Sequence, residues 1–239
     1  MNETRILYVD KNCVVVDKRA GDAVEGGSAS TNDLKKALAK ELAGKMPEGA
    51  ADVPVFVEAA HRLDVPVTGC VLFARTQEAL AFLDAAFAKG TVKKLYWAIA
   101  ERSESELPKE SELTHYIYFD HKTNKSHAFD EAGVNRKKAV LRFRTLGEGD
   151  RYLFIEVELV TGRHHQIRAQ LAAAGLKIKG DLKYGARRSE KNGGIRLHCR
   201  YLSFPDPVDS GHRIEVTAPI PEADALWTAF ETAAAAAAR

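Results

Sequence analysis

Between residues 92 and 160 lie four successive strand-like runs, the first and last with side chains alternating between two faces, and this pattern constrains the fold most. A period of two belongs to strands, whose successive side chains point to opposite faces. In residues 92–100, Leu95, Trp97 and Ile99 point one way while Lys94, Tyr96 and Ala98 point the other. Tyr96 therefore leaves the face of its bulky apolar neighbours. Further runs fall at 112–119, 138–145 and 152–160, the last setting Leu153, Ile155, Val157 and Leu159 against Glu156 and Glu158. Consecutive strands with short links favour antiparallel neighbours. The expected class is α/β (or α+β): a long mixed, mostly antiparallel sheet with flanking helices.

The flanks supply the rest of that picture. Residues 5–18 read as two short strands around Asp10-Lys11-Asn12, and further strands are expected at 55–58, 70–75, 195–204 and 212–217. Thr76 can cap a helix running to Lys89 and stopping at Gly90. A second helix starts at Thr31 or Asn32 with Leu34, Leu38 and Leu42 on one face, before a loop at 44–54. A third follows Thr161-Gly162, with Ile167, Leu171 and Ala174 on one stripe, and ends at Gly175. The terminal run Ala233–Ala238 reads as frayed helix without chemistry of its own.

With 239 residues and 45% hydrophobic content the chain can bury a real core. No apolar run approaches the roughly 18 residues of a membrane span, and the N-terminus lacks the shape of a signal peptide. A cytoplasmic protein, without a membrane partner and monomeric, is the simplest expectation. Cys13, Cys70 and Cys199 are too scattered for a disulfide framework or a structural zinc site, so buried free thiols are expected. The net charge of +2 hides a local excess: residues 163–200 hold ten Lys or Arg against Asp181 and Glu190. Such a stretch suits a polyanion equally as well as it suits a solvated surface.

Three polar clusters interrupt the apolar framework: His61-Arg62-Leu63-Asp64, Lys94-Leu95-Tyr96, and residues 161–168. The first lies between strands, where a loop presents a side chain from a rigid scaffold. A carboxylate beside an arginine stays ionised, and an ionised aspartate is a usable nucleophile. Taken alone, Arg62 and Asp64 are more often a structural ion pair. His61, His164, His165 and His198 lack the spacing of a metal site, so no metal is expected. His198 reads as a core or cleft histidine. Gly180 and Gly185 read as backbone geometry.

Taken together, the clusters carry a family resemblance. His61-Arg62-Leu63-Asp64 followed by Thr68-Gly69 resembles the signature loop of RluA-type RNA pseudouridine synthases. Lys94 and Tyr96 resemble that family's K-x-Y strand. Thr161-Gly162-Arg163, His165 to Arg168, Gly180-Asp181 and Tyr184-Gly185 resemble its third block. Leu197-His198 with Leu202 to Phe204 resembles the closing strand, and residues 6–21 the opening hairpin. The blocks come in the family's order over about residues 5–217.

The resemblance implies a pseudouridine synthase fold with a central cleft and a cofactor-free isomerisation of uridine in ribosomal or transfer RNA. It implies Asp64 as the catalytic carboxylate, attacking the nucleoside or assisting glycosidic cleavage. Tyr96 would stack on the uracil and help remove its carbon-5 proton, and Arg168 would pair with Asp64. Ile167 would pack against the base, and Arg62 would fill the gap left in the RNA stack. His61, Arg163, Gln166 and Lys94 complete the expected substrate contacts. A single catalytic domain over 1–239 is expected, without an N-terminal accessory RNA-binding domain and with a variable insertion at 22–54.

Two departures bear on the substrate more than on Asp64. Where the family has charged or polar residues and then Thr-Ser-Gly, this chain has Val65-Pro66-Val67-Thr68-Gly69, so Val67 loses a hydroxyl, and the family's Lys-Pro-Ala-Gly is Lys18-Arg19-Ala20-Gly21. The altered loop keeps a second reading open, a catalytically weak or inactive RNA-binding paralogue. A hydrolase built on Asp64 would need a Ser, Cys or metal motif, and none is visible.

Overall fold

The computed structural model describes residues 5–26, 32–44, 55–102 and 108–237. The loop expected at 44–54 lies outside these but for Gly44, as do residues 27–31 and 45–54 of the expected insertion. The chain forms two compact units, one from Met1–Lys93 and Cys199–Pro219, the other from Lys94–His198 and Ile220–Arg239. Elements are numbered in chain order.

In the first unit, β1 (Ile6–Val9) and β2 (Cys13–Lys18) form the expected hairpin. The Asp10 carboxylate accepts the N–H groups of Asn12 and Cys13 at 2.7 Å each, which closes the turn. β4 (Thr68–Ala74) runs antiparallel to β2, from Cys13 opposite Ala74 to Lys18 opposite Gly69. Every residue of β2 and β4 is buried, as expected of β-branched runs covered on both faces. Most of β10 (Leu197–Pro205) and all of β11 (Arg213–Thr217) belong here as an antiparallel pair. The strand expected at 55–58 is reduced to β3 (Glu58–Ala59), which pairs with the end of β4. α1 (Leu34–Ala43) buries Leu34, Leu38 and Leu42 as its spacing requires, but Asp33 is its cap. α2 (Gln77–Ala88) starts under the Thr76 hydroxyl, which accepts the Ala79 N–H at 3.0 Å.

The second unit pairs β5 (Lys93–Glu101), β9 (Tyr152–Leu159), β8 (Lys137–Glu148), β6 (Glu110–Asp120) and β7 (Lys125–Phe129), each antiparallel to the next. α3 (Gln166–Ala173) and α4 (Ala225–Ala237) flank these strands. Trp97 and Ile99 of β5 join Phe154, Trp227 and Phe230 in one cluster, so the alternation read from β5 assigned that face correctly. The Trp97 and Phe230 rings stack at 4.5 Å.

Two expectations change. β7 was not legible: Lys-Ser-His-Ala-Phe has little apolar periodicity, and its pairing with β6 makes it a strand. The alanine run is not frayed through residue 237, because Ala233 and Ala234 pack on the aromatic cluster. A side chain at Gly147 would collide with Ala233, so two small residues permit that close approach. The three cysteines are buried free thiols. No described helix is long and apolar enough to cross a membrane.

Candidate active site

The His61-Arg62-Leu63-Asp64 cluster lies in the first unit, between β3 and β4. Leu63 and Val67 are buried anchors on either side of Asp64, which is itself partly exposed. The Val67 N–H donates to the Asp64 carbonyl at 3.0 Å, so Asp64 to Val67 is one tight turn. The valine that departs from the family pattern is thus a core residue, and its side chain fills space beneath the turn.

A residue outside the expected set holds this turn. Lys18, at the end of β2, is fully buried. Its ammonium donates to the carbonyls of Val67 at 2.7 Å, Val65 at 2.9 Å and Arg19 at 3.0 Å. All three ammonium hydrogens are thereby matched, the condition for burying such a group. The Gly21 N–H adds a bond to the Val65 carbonyl at 2.9 Å. Burial lowers the Lys18 pKa to about 8, while Asp22 and Asp64 oppose that shift as nearby negative charges. Lys18 therefore links the opening hairpin to the Asp64 turn mechanically and electrostatically. A lysine two residues after the β-branched run Val14-Val15-Val16 was the available signal.

The Thr68-Gly69 pair also has a backbone reason. Gly69 has φ +107, and a Cβ there would overlap the main chain of Cys199. His61 accepts the Leu72 N–H through Nε2 at 3.2 Å and packs on Phe87, so it anchors the loop to β4. Arg62 is an exposed side chain with Glu25 at 3.8 Å.

The other two clusters lie in the second unit. Tyr96 on β5 is 4% exposed and sits opposite Val157 of β9. Lys94 is on the same strand, and a side chain at Gly162 would meet its ammonium at 3.8 Å. In residues 161–168, Gln166 is the organiser. Its Oε1 accepts from the Thr161 hydroxyl at 2.8 Å and the Arg163 N–H at 2.9 Å, while Nε2 donates to the Val140 carbonyl at 3.0 Å. Gln166 is 3% exposed, and its amide shapes the loop that precedes α3. Arg163 is exposed and donates through Nε to the Lys138 carbonyl at 3.1 Å. Ile167 is buried.

Arg168 is buried and held by a partner the sequence reading did not name. Nε donates to Asp181 Oδ2 at 2.7 Å and Nη2 to Asp181 Oδ1 at 2.8 Å, a two-point pair that fixes the guanidinium plane. The Tyr184 ring lies under the guanidinium at 5.0 Å. The Tyr184 hydroxyl accepts the Ser126 N–H at 2.9 Å and meets His165 Nδ1 at 3.0 Å. Burial, followed by the Arg168 charge, lowers the His165 pKa to about 2, so the ring is neutral. His165 itself adopts φ 49, the left-handed backbone that turns the chain into α3. Asp181 and Tyr184 are thereby supports of Arg168, while Gly180 and Gly185 take left-handed backbone at φ +92 and +91.

The basic stretch divides on inspection. Arg168 serves Asp181, Lys179 and Arg196 pair with Glu190, and Arg196 also meets Asp224 at 2.5 Å. These are internal ion pairs, so they leave only part of the stretch for a polyanion. Lys177, Lys183, Arg188 and Lys191 are exposed. Among the described residues no group of three or more His, Cys, Asp or Glu is arranged to hold a metal.

The chain is similar to known proteins over most of its length. The chain is 29% identical over 227 residues to the ribosomal large subunit pseudouridine synthase C of Vibrio parahaemolyticus, covering 91% of this chain and 66% of that protein. The chain thus spans just under two thirds of that relative's length. It is 31% identical over 201 residues to an uncharacterised RNA pseudouridine synthase of Zymomonas mobilis, covering 84% of this chain and 87% of the other. Among solved structures, human RNA pseudouridylate synthase domain containing 4 superposes with a TM-score of 0.72 at 22% identity, over 97% of this chain and 93% of that one. This likeness shows the fold, a mostly antiparallel sheet with flanking helices. The model of the RNA pseudouridylate synthase family matches residues 12–173, a span containing Asp64, Tyr96 and Arg168. More than half of the chain is covered by that match, and the chain belongs to the RNA pseudouridylate synthase family.

Proposed function

We propose that this chain isomerises uridine to pseudouridine in RNA, with Asp64 as the catalytic carboxylate and no cofactor. The observation that carries the reading is the Asp64 turn, clamped by Lys18 within the span matched by the family model. A carboxylate fixed through its own main chain is presented without its side chain being spent on the clamp.

The reaction is redox-neutral. The N1–C1′ bond of uridine breaks, a C5–C1′ bond forms, and a proton passes from C5 to N1. Nothing in that balance calls for an oxidant, reductant or group donor. Asp64 attacks the nucleoside or assists glycosidic cleavage. Tyr96 stacks on the uracil and helps remove the C5 proton, and Ile167 packs against the base. Arg168, its plane set by Asp181, is the cation assigned to serve the catalytic carboxylate. Arg62 fills the gap left in the RNA stack, while His61, Lys94, Arg163 and Gln166 support RNA or the loops that contact it. Ribosomal RNA of the large subunit is the substrate to test first, because a relative carries that name, with transfer RNA as the second.

The test is a map of pseudouridine across total cellular RNA with and without the gene, repeated with wild-type and Asp64→Ala rescue. Loss of one or a few sites, restored by wild type alone, is the expected result. Unchanged sites, or restoration by the alanine variant, overturn the proposal and leave RNA binding without turnover as the alternative.

A further inference from the structure

The tip of the β6–β7 hairpin carries rings that meet the histidines before α3. His121 at its tip lies 4.4 Å from Phe119, Phe119 lies 4.1 Å from His164, and His164 stacks on His165 at 3.8 Å. The row continues by an edge contact to Tyr184 at 5.7 Å, and Tyr184 underlies Arg168. A ladder of planar groups therefore runs, within one unit, from an exposed hairpin tip to a buried arginine of the proposed site. His121 and His164 are exposed and Phe119 is partly so, while His165, Tyr184 and Arg168 are buried.

The ladder is held rigid from beneath. The Ser126 hydroxyl donates to the His164 carbonyl at 2.6 Å, and the Lys183 ammonium donates to the Asn124 carbonyl at 3.0 Å. At the tip, the Asp120 carboxylate accepts the Lys122 N–H at 2.9 Å and the Thr123 hydroxyl at 2.7 Å, so this acid is engaged in the turn. Those same bonds lower its pKa. Lys122 and Lys183 are exposed beside the ladder, and Lys125 reaches over Tyr184 at 5.2 Å. Flat π faces at an exposed edge, flanked by lysines, are the combination that binds single-stranded nucleic acid. The rings stack on bases of any identity and the cations follow the phosphates.

We propose that the β6–β7 tip, with Phe119, His121 and His164, is a second RNA-contact platform. On it, unpaired nucleotides flanking the target uridine stack, with Lys122, Lys125 and Lys183 facing their phosphates. This inference rests on the proposed synthase function for its substrate class. It adds a specificity surface in which the RNA must be single-stranded or opened beside the target.

The test uses the full chain and two readouts. Binding is followed by fluorescence anisotropy with a labelled 12-nucleotide single-stranded RNA and with a duplex of the same length. Turnover is followed as pseudouridine formed in RNA from cells lacking the gene. Phe119→Leu keeps an apolar side chain but removes the π face, and weakens single-strand binding about tenfold. His121→Ala and Lys122→Ser, both at exposed positions, serve if Phe119→Leu fails to fold. Lys122→Ser lowers the slope of log affinity against log salt by about 0.7. All three raise KM for RNA with kcat retained, whereas Asp64→Ala removes turnover and keeps single-strand binding. Unchanged affinity and KM in the three variants, or equal preference for duplex, overturn the platform while the synthase reading stands. Wild-type protein that never modifies RNA, yet binds it through Phe119, overturns the synthase reading while the platform stands.

Discussion

The Lys18 ammonium donates to the Val67 carbonyl at 2.7 Å, joining residues 49 apart in the chain. With Val65 and Arg19 as its other acceptors, a single buried cation ties the end of β2 to the turn that displays Asp64. Lys18→Met keeps the length of the stem and removes the ammonium that the buried Val67 carbonyl accepts from. A loss of about 3 kcal/mol in urea unfolding is expected, together with a lower kcat. The folded-state pKa near 8 lies below the usual lysine value of 10.5, so the folded protein binds fewer protons between them. Wild type should therefore gain stability relative to Lys18→Met as pH rises from 8 to 10.5.

Arg168 and Asp181 form a buried two-point ion pair, so neither can be neutralised cheaply. Asp181→Asn leaves the guanidinium buried with one face unmatched. A destabilisation of about 3 to 5 kcal/mol is expected. Thermal unfolding checks this, and an Arg168→Met/Asp181→Leu double variant should recover much of the stability without recovering turnover.

His165 provides an acid-sensitive contact. Its folded pKa of about 2 is far below the usual 6.5, because burial and the Arg168 charge oppose protonation. Between those values the unfolded chain binds the extra proton, so stability falls as pH drops below 6.5. The slope from this residue is on the order of 1 kcal/mol per pH unit. His165→Asn tolerates the left-handed backbone and lacks the titration. Its deficit relative to wild type should shrink in urea titrations from pH 7 to pH 4.

Gly69 combines a left-handed φ with contact against the Cys199 main chain. Gly69→Ala should cost more than about 2 kcal/mol, since backbone strain and overlap act together. Unfolding measured by circular dichroism checks it. A variant as stable as wild type would show that β4 and β10 can part without cost.

Much of the architecture was legible because it is written in local periodicity. The alternation of β5 assigned Trp97 and Ile99 to one packed face, and Thr76 announced α2. The two-residue β3 and the polar β7 were not, because their partners confer strand geometry on segments with little pattern of their own. Several of the expected site residues act as supports of their own segments. Gln166 shapes its loop and His61 ties down β4. Their roles toward RNA stay with the proposed function.

The order of the motif blocks, the period of the strands and the caps of the helices are properties of neighbouring residues, and the sequence alone determined them. The pairing of Asp181 with Arg168, the burial of Lys18 under the Asp64 turn and the row of rings from His121 to Arg168 were decided only by tertiary structure. A buried charge takes whichever partner the folded chain brings within hydrogen-bond reach, and that proximity has no signature in sequence spacing. The same physics splits the basic stretch: Arg196 became an internal ion pair, while Lys183 stayed at the surface, though both read as positive charge.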